Sequence, residues 1–402
     1  MSSSKTRLSL FAGQRTTKRF QTAVSLHAHT RHSRETIAFV PHYIARVPLL
    51  RDKFRKWEER YRSKYGKDID FKQGYWTPPL SALEVYQSEK AQIENLLGLR
   101  ALVSLTDHDD IEASALAQSA ATSEIPVSLE WTVPFGERAF FHVGVHNVPR
   151  QQATAIANEL GAYTKEPKPG RLAELLEMLS EFPETLIVLN HPLWDIEFAG
   201  QRRHEATLST LLETHGERFH ALEVNGYRKW RENRRVVQLA ESTGLPIVSG
   251  GDRHGRDANA VLNLTRANTL ADFISEVRVG KTSEVVLMPE YVEPLFARQM
   301  KGFADVVRFY PDFPAGQERW YNRVYFDVRG TGVNPLSHYW PVKGAPKMAK
   351  RIVSCLCALG SRPIEPALRL ALFNQKRSVR REILGETQNQ SYVQEPQLDV
   401  DV

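Results

Sequence analysis

The stretch Ser249-Gly250-Gly251-Asp252-Arg253-His254-Gly255 follows the short apolar run Leu245-Pro246-Ile247-Val248. A β-branched run closed by Ser-Gly-Gly reads as a buried strand with a tight exit turn, which leaves Asp252 and His254 on one side at its end. A carboxylate and an imidazole two residues apart are metal-ligand chemistry. One such pair carries little weight, because Asp and His beside glycines are common in loops. The pattern recurs, however. Val24 to Leu26 delivers His27 and His29, Ala101 to Leu105 delivers Asp107, His108 and Asp109, Ile125 to Leu129 delivers Glu130, and Leu186 to Leu189 delivers Asn190 and His191. A fifth run, Phe140 to His146, places His142 inside a strand-like stretch.

The elements that must position these groups follow from their spacing. Alternation sends residues i and i+2 of a strand the same way, so His27 and His29 can reach one ion. Glu130 and His142 fall on the arms of a hairpin turning near Pro134-Phe135-Gly136-Glu137. The acidic cluster at Asp107, Asp109 and Asp110, delivered by an apolar strand, favours a cation among its carboxylates. Helices are expected near Gln151 to Leu160, Gly170 to Leu179 and Arg231 to Thr243, with a further strand at Ala221 to Asn225. Strand and helix alternating, with ligand types at successive strand ends, is the pattern of a parallel α/β barrel that collects its chemistry at the carboxyl end of its strands. Residues 37–76 interrupt the pattern as a charged helical insertion, readable as a lid or as a decoration shielding the sheet.

The 402 residues hold one barrel-sized domain with an accessory region, or two to three ordinary domains. A hydrophobic fraction of 42% and a charged fraction of 25% imply a packed core. No window offers the roughly 18 uninterrupted apolar residues of a membrane span, so no membrane partner is expected. Two cysteines, Cys355 and Cys357, exclude a disulfide framework and favour a reducing cytoplasm. The net charge of +6 is concentrated at the ends. Residues 1–20, read as a flexible lead, hold five basic and no acidic residues, and Lys343 to Glu382 holds ten basic against two acidic. Such ends suit nucleic acid or anionic substrates, or simply solvated tails and a basic helix face. Residues 286–386 read as a mainly helical extension, with apolar helices near Met348 to Leu359 and Pro366 to Phe373 covered by ordinary packing, and 387–402 as a polar tail.

Taken together, the motifs resemble the PHP family, named for polymerase and histidinol phosphatase. The matching text is His27-Ala28-His29-Thr30, Thr106-Asp107-His108-Asp109, Glu130, His142 in Phe-His-Val-Gly, Asn190-His191-Pro192 and Gly251-Asp252-Arg253-His254, a little over half of the chain. The resemblance implies a distorted seven-stranded TIM-like barrel over residues 21–285, around two or three divalent ions. By it, His27, His29, Glu130 and Asp252 surround one ion, His108 and His254 hold a second, and Glu130 bridges to a third held by His142 and His191. The chain departs from the family at Ser33-Arg34-Glu35, where either Glu35 or His32 must replace a first-motif ligand.

Imidazole and carboxylate donors suit zinc, manganese or iron. Two such ions can acidify a bridging water and clamp a phosphoryl oxygen, so the expected activity is a metal-dependent phosphoesterase whose nucleophile is a metal-bound water. The expected partner is a phosphorylated small molecule, nucleotide or oligonucleotide, and nothing indicates an oligomeric state. Arg253 and Arg34 are either phosphate clamps or members of ordinary ion pairs. Two other readings compete: a barrel whose chemistry is vestigial, serving as a binding or scaffold module, and an amidohydrolase-type C–N hydrolase. Against the last, no lysine stands at a strand end as a bridging ligand.

Overall fold

Short apolar runs separated by helices become the strands of two five-stranded ladders in the computed structural model, which describes residues 5–387 except 46–47, 123, 137–138, 341–343 and 361–372. The chain order is β1 (Lys5–Leu10), β2 (Thr22–Ser25), β3 (Glu35–Thr36), β4 (Tyr75–Trp76), β5 (Arg100–Val103), β6 (Leu129–Phe135), β7 (Ala139–His146), β8 (Leu186–Asn190), β9 (Ala221–Asn225), β10 (Ile247–Gly250), β11 (Val261–Thr265), β12 (Thr282–Leu287), β13 (Val324–Phe326) and β14 (Asn334–Pro335). One sheet has the order β1-β12-β11-β2-β5, the second β10-β9-β8-β7-β6, and a small third sheet β14-β13-β4-β3.

The all-parallel barrel expected from the strand–helix alternation does not appear. β6, β7 and β8 pair antiparallel, β11 is antiparallel to both neighbours, and no ladder among the described residues joins the two large sheets. β6 and β7 form a hairpin that needs no crossover helix, whereas β7 and β8, and β11 and β12, pair antiparallel although helices join them. Two isolated bridges, Ala28 to Arg253 and His108 to Glu130, touch the large sheets together at strand ends.

Alternation sorts the side chains into layers. On β8, Ile187 and Leu189 face the main core, where Leu160, Leu175 and Leu211 of the covering helices also pack. Leu186 and Val188 face the other way, joining Val24, Leu102, Ala221 and Val248 from both sheets, with Phe273 and Ile274 of the helix Leu270–Arg278 in the same cluster. Two residues further along β8 and β9 the same face presents Asn190 and Glu223, so the apolar layer gives way to a polar one by the pleat alone.

Residues 5–20 are not a loose lead. β1 pairs in parallel with β12, and Leu8 is buried in the main core while Arg7 reaches Glu284 at 3.5 Å. The alternating Arg7-Leu8-Ser9-Leu10 is a half-buried strand pattern whose exposed polar member, Arg7, is basic. The insertion 37–76 contains the helix Pro48–Tyr65 and closes on β4. β4 pairs with β13, so the insertion and the region after Val285 build one cap together. The expected helix at Pro366 to Phe373 and the tail 388–402 lie outside the described residues, apart from Phe373, which opens the helix Phe373–Thr387.

Candidate metal centre

The strands end where the polar layer begins, and three residues there adopt left-handed backbone: His27 (φ 63°), His191 (φ 27°) and Asp252 (φ 51°). Non-glycine residues pay on the order of 1 kcal/mol or more to sit there, a strain that clusters at functional sites. The turn after β10 is made by Asp252, not by the glycines before it. Gly250 and Gly251 serve space instead: a Cβ on Gly250 would lie 1.3 Å from Glu223 Oε1, and one on Gly251 1.6 Å from Asn259 Oδ1. The glycine pair makes room for a carboxylate and an amide that approach from elsewhere.

Glu130 is the centre of the cluster. Its carboxylate oxygens lie 3.1 Å from His27 Nε2, 3.4 Å from His29 Nε2, 3.3 Å from His108 Nδ1, 3.2 Å from His142 Nδ1 and 3.2 Å from His191 Nε2. Glu35 closes the other side, with Oε2 at 3.3 Å from His108 Nε2 and 3.0 Å from His254 Nε2. Asp252 Oδ1 lies 3.7 Å from His29 Nε2 and 3.6 Å from His254 Nδ1. The structure thus brings together all nine of the metal-ligating candidates His27, His29, Glu35, His108, Glu130, His142, His191, Asp252 and His254. Of the two replacements for the first-motif ligand, Glu35 is in the cage, whereas His32 turns toward Glu112 at 3.3 Å.

Glu223, mid-strand on β9, was not among the candidates. It lies 2.5 Å from His27 Nδ1 and accepts a hydrogen bond from the His191 backbone N–H at 2.6 Å. A carboxylate on the far nitrogen of a ligating imidazole fixes its tautomer and ring angle. The available signal was a lone acidic residue in the middle of an otherwise apolar strand.

The electrostatics follow from burial and company. Burial works against charge on His108, but Glu35 and Glu130 outweigh it and lift its pKa to about 10. His27 is likewise raised, against burial, by Glu130 and Glu223. Burial would raise Glu130, yet His27, His142 and His108 hold it well below the ordinary carboxylate range. His29 and His142, where burial wins, fall to about 4. Carboxylates here stay ionised while part of the imidazole set stays neutral, so the pocket needs positive charge from some source.

The donor set fits divalent ions. Five triads of His, Asp and Glu atoms lie within 4.8 Å of one another: His27, His29 and Glu130; His27, His191 and Glu223; His29, Asp252 and His254; His29, Glu35 and His108; His108, Glu130 and His142. Glu130 Oε2, His108 Nδ1 and His142 Nδ1 are buried and make no hydrogen bond although they lie near one another. His27 Nε2 and His29 Nε2 point at each other across 3.1 Å. Imidazole nitrogens and carboxylate oxygens that converge without hydrogen-bonding one another are the geometry of a coordination site, and that mixture of donors suits zinc, manganese or iron.

Other candidates face elsewhere. Of the acidic cluster, only His108 enters the cage. Asp107 accepts from Thr30 N–H and Oγ1, each at 2.5 Å, Asp109 accepts from Thr132 N–H, and Asp110 accepts from Glu112 N–H. Backbone N–H groups and the Thr30 hydroxyl satisfy those carboxylates, which do not turn into the cage as the cluster suggested. Arg253 does not point at the centre: its buried Nε lies 3.2 Å from Glu89 Oε1 and also donates to the Asp257 carbonyl, so it is an internal ion pair and not a phosphate clamp. Arg34 is exposed and lies over Tyr75 at 5.3 Å, outside the ligand shell. The guanidinium beside the cage is Arg228, 3.6 Å from Asp252 Oδ2 and stacked 3.6 Å over the Trp194 ring; its Nε is buried without a hydrogen bond.

The insertion crosses the mouth of the cage. It leaves beside Glu35 on β3 and returns at Trp76, whose ring is 5.6 Å from that of His254. Between these ends, Lys72 pairs with Glu197 at 2.9 Å and His42 stacks on Phe198, both in the loop after His191.

Comparison with known proteins finds no matching family model and no matching curated protein. Among solved structures, PsfC from Pseudomonas syringae PB-5123 is 16% identical, with a TM-score of 0.34 over 52% of this chain and 83% of that one. A candidate metal-dependent phosphoesterase from Bifidobacterium adolescentis ATCC 15703 is 12% identical, with a TM-score of 0.30 over 51% of this chain and 92% of that one. Both likenesses are distant.

Proposed function

We propose that the protein is a metal-dependent hydrolase of phosphate esters, built on a distorted seven-stranded barrel of the PHP type. The observation that carries the reading is the convergence of six imidazoles and four carboxylates, counting Glu223, at one end of the strands with ligand atoms left unpaired. The isolated bridges Ala28 to Arg253 and His108 to Glu130 support reading β2, β5 and β6 to β10 as one ring, with residues 286–386 as an extension that lends β13 and β14 to the cap.

Divalent ions held by these nine ligands, whether manganese, zinc or iron, would acidify a water and draw charge off a phosphoryl oxygen. The chain supplies the rest. Glu223 holds the His27 ring, Glu130 and Glu35 keep the interior negative enough to favour cations, and Trp76 and Trp194 wall the mouth against water. Arg228 is the residue placed to take a phosphoryl oxygen, because its guanidinium is pinned flat on Trp194 beside Asp252 at the edge of the cage, with Nε turned to Glu232 at 3.9 Å. The insertion over the mouth favours small phosphorylated molecules, nucleotides and oligonucleotide ends over the interior of a polymer.

The test is a panel of phosphomonoesters, dinucleotides and short oligonucleotides presented to the metal-loaded protein. Turnover is expected on at least one class. Arg228→Met should raise KM about tenfold with metal content unchanged. A protein that keeps its ions and cleaves nothing on the panel is not this hydrolase.

A further inference from the structure

The described residues of the basic run Lys343 to Glu382 make no contact with the cage, and some of them lie beside an unusual surface. The helix Leu295–Val307 packs on the helix Lys347–Leu359, where a Cβ on Gly360 would meet Ala304 Cβ at 2.3 Å. Ala304 and Asp305 turn inward and are buried. On the solvent side Phe296 and Phe303 are 60% and 43% exposed, and the partly buried Met300 and Val307 continue their row. Met348, Ile352 and Leu359 are 54%, 46% and 42% exposed, with the exposed Cys355 between them. Phe296, Met300, Phe303 and Val307 fall at i, i+4, i+7 and i+11, and so do Met348, Ile352, Cys355 and Leu359. Each helix therefore carries a continuous apolar stripe facing water. The helix Lys347–Leu359 has no fully buried residue at all. Among the described residues, the ordinary packing expected from the sequence for this helix does not cover it.

Large apolar stripes left in water mark an interaction surface. The flanking charge selects the partner. Lys347, Lys350 and Arg351 are all exposed. Arg351 lies three residues after Met348 and four before Cys355, at the stripe's edge, with Lys347 one turn before it. A helix with basic residues bordering an exposed apolar stripe lies in the interface of an anionic bilayer, its rings and aliphatic chains among the acyl chains and its lysines and arginines at the headgroups. A nucleic acid would use the charges and leave the stripes wet. No helix among the described residues is long and apolar enough to cross a membrane, so the contact is one of lying on the surface.

We infer that the helix pair 295–307 and 347–359 docks the protein on an anionic lipid surface. The inference is independent of the reaction performed in the cage.

Flotation of the full-length, metal-loaded protein with vesicles tests it, using phosphatidylcholine alone or with about 30 mol% phosphatidylglycerol. The bound fraction should be at least about tenfold higher on the anionic vesicles and fall with added salt. Phe303→Glu with Ile352→Glu should lower it about tenfold or more, with metal content and near-ultraviolet circular dichroism unchanged. If that pair perturbs folding, Lys347→Gln with Arg351→Gln carries the test: it should weaken binding to the anionic vesicles and reduce its salt dependence. Three results would overturn the inference. The protein fails to float with anionic vesicles, both pairs of substitutions leave flotation unmoved, or light scattering shows a dimer that Phe303→Glu with Ile352→Glu converts to monomer, which makes the occupant a second copy of the chain.

Discussion

His204 and His220 are buried like His29 and His191, at 3% and 6% exposure, and their surroundings differ in kind. His204 Nε2 meets the Pro192 carbonyl at 2.8 Å, and His220 Nδ1 accepts from the Ile187 backbone N–H at 3.0 Å. Burial, reinforced by Arg278 and Lys281, pushes His220 down to about 3. His146, beside the cage but hydrogen-bonded to Ser104 Oγ at 2.8 Å, also falls to about 3 through burial first and His27 second. His146 and His220 are neutral, and all three imidazoles have partners of the ordinary kind. In the cage, carboxylates surround the imidazoles, lift His27 and His108, and leave ligand atoms unmatched. Burial alone discharges a histidine; burial among carboxylates without donors makes a place for a cation.

The sharpest way to break this contrast is Glu130→Ala. It removes the one carboxylate within reach of five imidazoles, and the bound metal should fall to near zero with turnover down by on the order of a thousandfold, read by elemental analysis and steady-state kinetics. His204→Gln, an equally buried change, should leave metal content intact and cost about 1–2 kcal/mol of stability in denaturant titration. Equal metal loss in both variants would erase the distinction.

A finer division lies within the cage. Glu223→Gln keeps the shape of the side chain that orients His27 but removes its charge, and metal affinity should drop about 10–100-fold in a competition titration against a chelator. An unchanged affinity would place Glu223 outside the metal's influence.

Much of the cage was legible because its ligands follow short apolar runs, a pattern that survives without any knowledge of pairing: His27, His29, His108, His191, Asp252 and His254 stand at or past strand ends, whereas Glu130, read as closing a strand over 125–129, instead opens β6 (Leu129–Phe135). Glu223 was passed over because it sits in the middle of its run and not at the end, where the other ligands were sought; only the pairing of β8 and β9 shows that Ala221, Glu223 and Asn225 face inward. Arg253 misled because adjacency in the chain to two ligands says nothing of side-chain direction, and its partner Glu89 comes from the distant helix Ala82–Gln92. The cap was beyond local reading altogether. Its strands are two or three residues each, and β4 pairs with β13 from the far end of the chain. β1 was obscured by charge: Arg7 sits on the wet side of an otherwise plain alternation.

The smallest effect belongs to the structural histidines. With His220 at about 3 in the folded protein and 6.5 as its ordinary value, both states are neutral above 6.5 and the residue contributes no pH dependence there. As pH falls below 6.5 the unfolded chain takes up the proton first, so stability declines progressively toward pH 3. Denaturant midpoints of the wild type should therefore drop between about pH 7 and about pH 5 by up to about 2 kcal/mol more than those of His220→Gln. Parallel curves for the two proteins would remove His220 from the acid sensitivity.

The measurement that bears most directly on the whole account is anomalous scattering from crystals grown with manganese. At least two peaks are predicted inside the shell formed by His27, His29, Glu35, His108, Glu130, His142, His191, Asp252 and His254, with Glu130 touching more than one of them. Density that shows these side chains closed on one another through hydrogen bonds, with no anomalous peak among them, would contradict it.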